Sequence, residues 1–126
     1  MLLAVTAMAV VTGIDTAWKL AVVAEGHGAL DTPTSLVKPL GTFAVWLVAT
    51  AGVALLPPLC VPGALLVACG LGSNLFSLAL WRAAPNPLSV NLAGGALHFN
   101  LADICIGGGG LVVVLSVLLT PADRFG

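Results

Sequence analysis

The side chains able to carry chemistry are few, and they recur at helical spacing. Asp15 and Lys19 stand four residues apart, Asn74 and Ser77 three, and Asn100 and Asp103 three, so each pair shares one face of a helix. The chemistry open to such a set is narrow. An aspartate beside a lysine makes an ion pair. An aspartate held by amides can polarise water, and a serine within reach of a base, here Lys19 or His98, is a nucleophile in waiting. The bland alternative is a polar cluster that only fixes how helices pack. In an apolar surrounding each aspartate needs compensation, since one such group costs about 2.5 to 3.5 kcal/mol at the centre of a membrane helix. Lys19 can supply it for Asp15. Asp103 has no cation in its own helix, so Asn100 and Asn74 must bond it, or it must hold a proton.

The elements that position these groups follow from composition. Of 126 residues 60% are apolar and 7% charged, with no tyrosine and a mean hydropathy of +1.15. A chain so poor in charge cannot cover a water-soluble surface. In lipid every backbone polar group must be bonded within the protein, which leaves helices or a closed barrel. The long apolar runs lack the alternation of barrel strands, so helices are expected. Crossing takes about 20 residues. Four stretches qualify, at about 2–23, 40–56, 63–81 and 96–119, the second closed by Pro57 and Pro58, the third opened by Pro62 and the fourth stopped by Pro121. The expectation is an all-α antiparallel four-helix membrane bundle in one domain, residues 1–126.

An even number of spans puts both termini on one side and the connectors at 24–39 and 82–95 on the other. Measured from that second side, Lys19 lies roughly 6 Å deep, Asp15 about 12 Å, Ser77 about 8 Å and Asp103 about 10 Å. Polar groups from three helices thus share one layer. Asn74 and Ser77 continue a stripe of small residues through Gly70 and Gly63, and Asn100 and Asp103 one through Gly107 and Gly110. Small residues mark close contacts between membrane helices, so the two stripes are expected to face each other around a polar pocket.

Several features carry less. Residues 1–23 lack a basic start and hold Asp15 and Lys19 late in the span, so a retained helix is expected rather than a cleaved leader. Cys60, Cys69 and Cys105 lack metal-ligand spacing and read as small apolar filler. The lipobox-like Leu66-Val67-Ala68-Cys69 lies inside a span and reads as chance. Lys38 and Arg82 against Arg124 is too slight a bias to fix orientation. Four basic residues make no phosphate-binding patch, which argues against nucleic acid, and no metal or nucleotide motif suggests a cofactor.

At the polar positions the chain resembles bacterial lipoprotein signal peptidase, or signal peptidase II, an aspartic peptidase of the inner membrane. Phe99-Asn100-Leu101-Ala102-Asp103, with Gly109 downstream, resembles that family's F-N-x-A-D motif. Asp15-Thr16-Ala17-Trp18-Lys19 is similar to its D-Q-x-x-K, Gly72 to Ser77 to its G-x-x-N-x-x-D-R, and Val90-Asn91-Leu92 to its V-D-F. The resemblance runs along essentially the whole chain and implies a multi-pass protein of the bacterial inner membrane. It implies two catalytic aspartates, of which Asp103 is one.

The departures fall on the chemistry. Ser77 stands where the other aspartate belongs, Leu78 replaces the arginine after it, Asn91 replaces an aspartate, and the N-x-G-A-A-F segment has no counterpart between Glu25 and Pro39. Aspartic peptidases work because two adjacent carboxylates share one proton. A serine cannot share it, and losing one member of a coupled site removes orders of magnitude of rate. The expectation is therefore a signal-peptidase-II-like protein with impaired or absent peptidase activity and a retained pocket of Asp15, Lys19, Asn74 and Asn100. Its partners would be membrane lipid, a lipoprotein signal peptide or another membrane protein. Two alternatives stand beside it: a divergent working peptidase with Asp31 as substitute acid, and an accessory subunit of a larger membrane complex.

Overall fold

The computed structural model describes residues 2–26, 29–30 and 36–121. Four helices dominate: α1 (Leu2–Ala24), α2 (Val37–Val53), α3 (Val61–Trp81) and α4 (Leu101–Leu119). Short strands punctuate the connectors, β1 (Ala29–Leu30), β2 (Pro85–Asn86), β3 (Leu88–Leu92) and β4 (Gly95–Phe99), and a 3-10 turn, Pro58–Cys60, leads into α3. Two helical segments, Pro58–Trp81 and Leu101–Leu119, are long and apolar enough to cross a membrane, and Val37–Val53 is apolar but shorter.

Local chemistry sets the ends. Proline lacks the backbone donor an interior helical residue needs but is tolerated in a first turn; Pro57 and Pro58 follow α2, and Pro62 sits in the first turn of α3. α3 stops at Arg82, whose backbone turns left-handed (φ 54°) and returns its N–H to the Leu78 carbonyl at 2.9 Å. α4 opens on Asn100 through a reciprocal capping box with Asp103.

α3 is the centre of the fold, packing on α1, α2 and α4, with α4 its most extensive partner. Glycine makes that contact possible. A Cβ on Gly63 would come within 2.7 Å of the Gly109 carbonyl oxygen, one on Gly109 within 2.6 Å of the Gly63 oxygen, and one on Gly70 would strike the Ala102 oxygen. The stripe expected on α4 is corrected here: Gly107 and Gly110 have open space where a Cβ would go, and the contacting face runs through Ala102, Ile106, Gly109 and Val113. That face is displaced by one residue, about 100° around the axis, because α4 turns Ala102 rather than Asp103 squarely into α3.

The connector before α4 departs further from the sequence expectation. Residues 96–99 are not helical; they form β4, antiparallel to β3 with Leu88 opposite Phe99, Val90 opposite Leu97 and Leu92 opposite Gly95. The fold is mostly helical with a small hairpin, not all-α. Ala93 and Gly94 make the turn, and Gly95, at φ 136°, closes it opposite Leu92. Leu88, Val90, Leu92, Leu97 and Phe99 then share one face of the ribbon, while Ser89, Asn91 and His98 take the other. A short apolar run is ambiguous between strand and helix, and the pairing partner resolves it. α2 likewise covers 37–53 rather than 40–56, since Leu55 and Leu56 already belong to the turn before Pro57. β1 pairs with β2, Ala29 opposite Asn86, tying the connector after α1 to the one after α3.

Candidate functional site

The largest fully buried side chains include Lys19, Asn100 and Asp15, so the best-protected part of this fold is polar. α1 carries Asp15 and Lys19 on the face turned to α3. The Lys19 ammonium lies 2.5 Å from Asp15 Oδ2 and donates to Asn74 Oδ1 at 3.0 Å and Ser77 Oγ at 3.0 Å. An ammonium has three protons, and each here has an acceptor. Asp15 is as fully engaged: Oδ2 accepts from the Ser73 hydroxyl at 2.6 Å and Oδ1 from the Ala102 amide at 3.3 Å. Ala102 sits in the first turn of α4, where amides have no partner within the helix and negative charge is favoured. Asp15 thus helps to cap a helix 87 residues away in sequence.

Asn74 carries the network onward. Its oxygen accepts from Lys19 and its Nδ2 donates to Asp103 Oδ1 at 2.8 Å; cation on one side and anion on the other fix the amide's orientation. Asp103 Oδ2 accepts the Asn100 amide at 3.1 Å, and the Asp103 amide donates to Asn100 Oδ1 at 3.0 Å. Asn100 Nδ2 then donates to Asn86 Oδ1 at 2.8 Å and to the Pro85 carbonyl at 3.4 Å, holding β2 over the start of α4.

All six residues singled out from the sequence, Asp15, Lys19, Asn74, Ser77, Asn100 and Asp103, fall in this network, but Ser77 and Asp103 are not bonded to each other. Ser77 accepts from Lys19 and donates to the Ser73 carbonyl at 3.0 Å, and only Lys19 and Asn74 link it to Asp103. The serine-nucleophile alternative is half met. Lys19 does reach Ser77, yet it is shared with Asp15 and Asn74, the Ser77 hydroxyl gives its proton to the Ser73 carbonyl and not to Lys19, and both groups are wholly buried. His98 is exposed on the hairpin. Asp31 lies outside the described residues.

Of the two aspartates in the network Asp103 is the accessible one, partly buried and reached from two cavities. One, of 190 Å³, is lined also by Lys38, Thr42, Asn74 and Asn86; the other, of 390 Å³, by Leu97, His98, Phe99 and Ile104. Among the described residues neither cavity presents a second carboxylate beside Asp103. No group of three metal-ligating side chains occurs among them either.

Two participants were not foreseen. Ser73 precedes Ser77 by one helical turn, and that spacing carried the signal. Asn86 had none, since its role depends on β2 folding back over α4. No protein-family model matches the chain, and no curated protein matches it.

Proposed function

We propose that the chain is a four-span membrane protein of signal-peptidase-II type that has given up peptidase chemistry and kept a polar intramembrane pocket for a ligand drawn from the membrane. α1 to α4 have 23, 17, 21 and 19 residues, each within the range of about 17 to 25 that spans a bilayer. The bacterial inner membrane is the location this reading assigns.

The observation that carries it is the partner of Ser77. Where the resemblance calls for a second catalytic carboxylate there is a hydroxyl, bonded to the Lys19 ammonium and to a backbone carbonyl. Asp103 is held by Asn74 and Asn100, which donate hydrogen bonds and exchange no proton. Such a site can bind and orient a polar group, but it lacks the shared proton with which an aspartic pair activates water.

The test is cleavage of a diacylated lipoprotein precursor by the purified chain in detergent. No turnover is expected. Robust turnover that Asp103→Asn abolishes would overturn the proposal. The openness of Asp103 to a polar cavity favours one competing reading, a working peptidase with Asp31 as second acid; it requires Asp31→Asn and Asp103→Asn each to abolish cleavage.

A further inference from the structure

The β3–β4 ribbon stands clear of the helices. Leu88 and Phe99 at its base are half-buried, but every residue from Ser89 to His98 is exposed. Among the described residues its main contacts are between its own two strands and from β4 to β2. A two-stranded ribbon with no helix or third strand against it is marginal in water. This one also turns an apolar side outward. Val90, Leu92 and Leu97, on one face, are 46%, 59% and 56% exposed, while Ser89, Asn91 and His98 take the other face. From Ala83 to Ala102 the chain holds no Asp, Glu, Lys or Arg, so nothing charged ties this connector to bulk water.

We infer that the ribbon lies on the bilayer surface, with Val90, Leu92 and Leu97 turned into lipid and Ser89, Asn91 and His98 turned to water. This rests on the membrane reading above, and only on its α3 and α4 spans. Those two helices fix the ribbon's level. Trp81, of a residue type that gathers at membrane–water boundaries, ends α3, and β4 runs into α4 through Asn100 alone. The apolar face is also continuous with a surface that lipid covers in that reading. Leu97 and Phe99 meet Ile104 around one cavity, and Ile104 begins an exposed stripe down α4 through Leu111, Leu115 and Leu118, all on one helix face. Lipid is therefore the neighbour where the ribbon joins the helix. Among the described residues neither β3 nor β4 has a second pairing partner. Open strand edges are costly in hydrocarbon, so the ribbon rests among the headgroups, where water reaches its edges. Asp103 lines the cavity at the joint and stands at the same level, open to polar groups of the lipid–water boundary.

The full chain, with its native cysteines replaced by alanine, is reconstituted in phosphatidylcholine vesicles as Ser89→Cys, Val90→Cys, Asn91→Cys or Leu92→Cys. Each cysteine carries an environment-sensitive fluorophore, quenched in turn by aqueous iodide and by a phosphatidylcholine with a nitroxide near the headgroup end of its acyl chain. Alternation is expected: blue-shifted emission and lipid quenching at 90 and 92, iodide quenching at 89 and 91. Iodide quenching of all four overturns the assignment. So does protection at 90 and 92 that the nitroxide lipid does not quench, which would place a protein, a second copy or an extended peptide, on that face. The unaltered chain gives a second measurement that needs no substitution. A phosphatidylcholine with a photoreactive diazirine near its glycerol should mark Val90, Leu92 and Leu97 and spare Ser89 and Asn91; marking confined to the helices overturns the assignment. A chain released from membranes by alkaline extraction fails the membrane reading itself; one that stays but shows no alternation fails only the placement of the ribbon.

Discussion

Lys19 donates to the Ser77 hydroxyl across 3.0 Å, from a helix 58 residues away. The contact answers where the charge of Lys19 goes: to the α1 carboxylate four residues before it and to two polar side chains of α3. It also gives Ser77 a structural occupation. A hydroxyl there closes the ammonium's coordination and returns its own proton to Ser73, so the α1–α3 interface leaves none of these groups unpaired.

The Asp15–Lys19 pair is wholly buried, and removing one partner strands the other. Lys19→Met is expected to lower stability by about 3 to 5 kcal/mol. Adding Asp15→Leu to Lys19→Met should cost less than the sum of the single changes, because the stranded carboxylate disappears. Thermal unfolding of the four members of the cycle in one detergent checks this; strict additivity would mean that the pair is not coupled.

Glycine matters where helices touch and not where they do not. Gly70→Val drives a side chain into the Ala102 carbonyl and Ile106 and should cost at least the 1 to 3 kcal/mol typical of overpacking, roughly. Gly107→Ala meets open space and should be neutral or stabilising by about 0.4 to 1 kcal/mol. Equal melting temperatures for the two variants would contradict the α3–α4 register described above.

Asn100→Ala removes the cap of α4 together with the bond to Asn86. A cap alone is worth about 0.5 to 2 kcal/mol, so the loss should exceed that of Asn86→Ala measured alongside it. Hydrogen exchange should quicken at the Asp103 amide, whose acceptor is the Asn100 side chain, more than in the middle of α4.

The proposed four-span topology makes a statement about sides. With the native cysteines replaced by alanine, Glu25→Cys and Ser89→Cys should react with an impermeant thiol reagent from one side of sealed vesicles and Ala54→Cys from the other. If only α3 and α4 cross, Glu25→Cys and Ala54→Cys will label together, opposite Ser89→Cys.

Composition and breaker residues made the four helices legible: long apolar runs closed by Pro57, Pro58 and Pro121 leave few other ways to satisfy a backbone. The members of the polar network were legible too, because three- and four-residue spacing within a helix is local. The pairing between helices was not. Asn74 at the junction of Lys19 and Asp103, the reach of Asp15 to the Ala102 amide, and the choice of Gly109 over Gly107 depend on how far each helix is rotated about its own axis, and side chains on other helices set that rotation. The same holds for residues 95–99, whose apolar content suits helix or strand until β3 offers backbone partners. Local sequence dictated the four long helices and the polar positions along them; only packing decided which groups meet and where the last helix begins, because a contact between distant segments is a property of both and is written in neither alone.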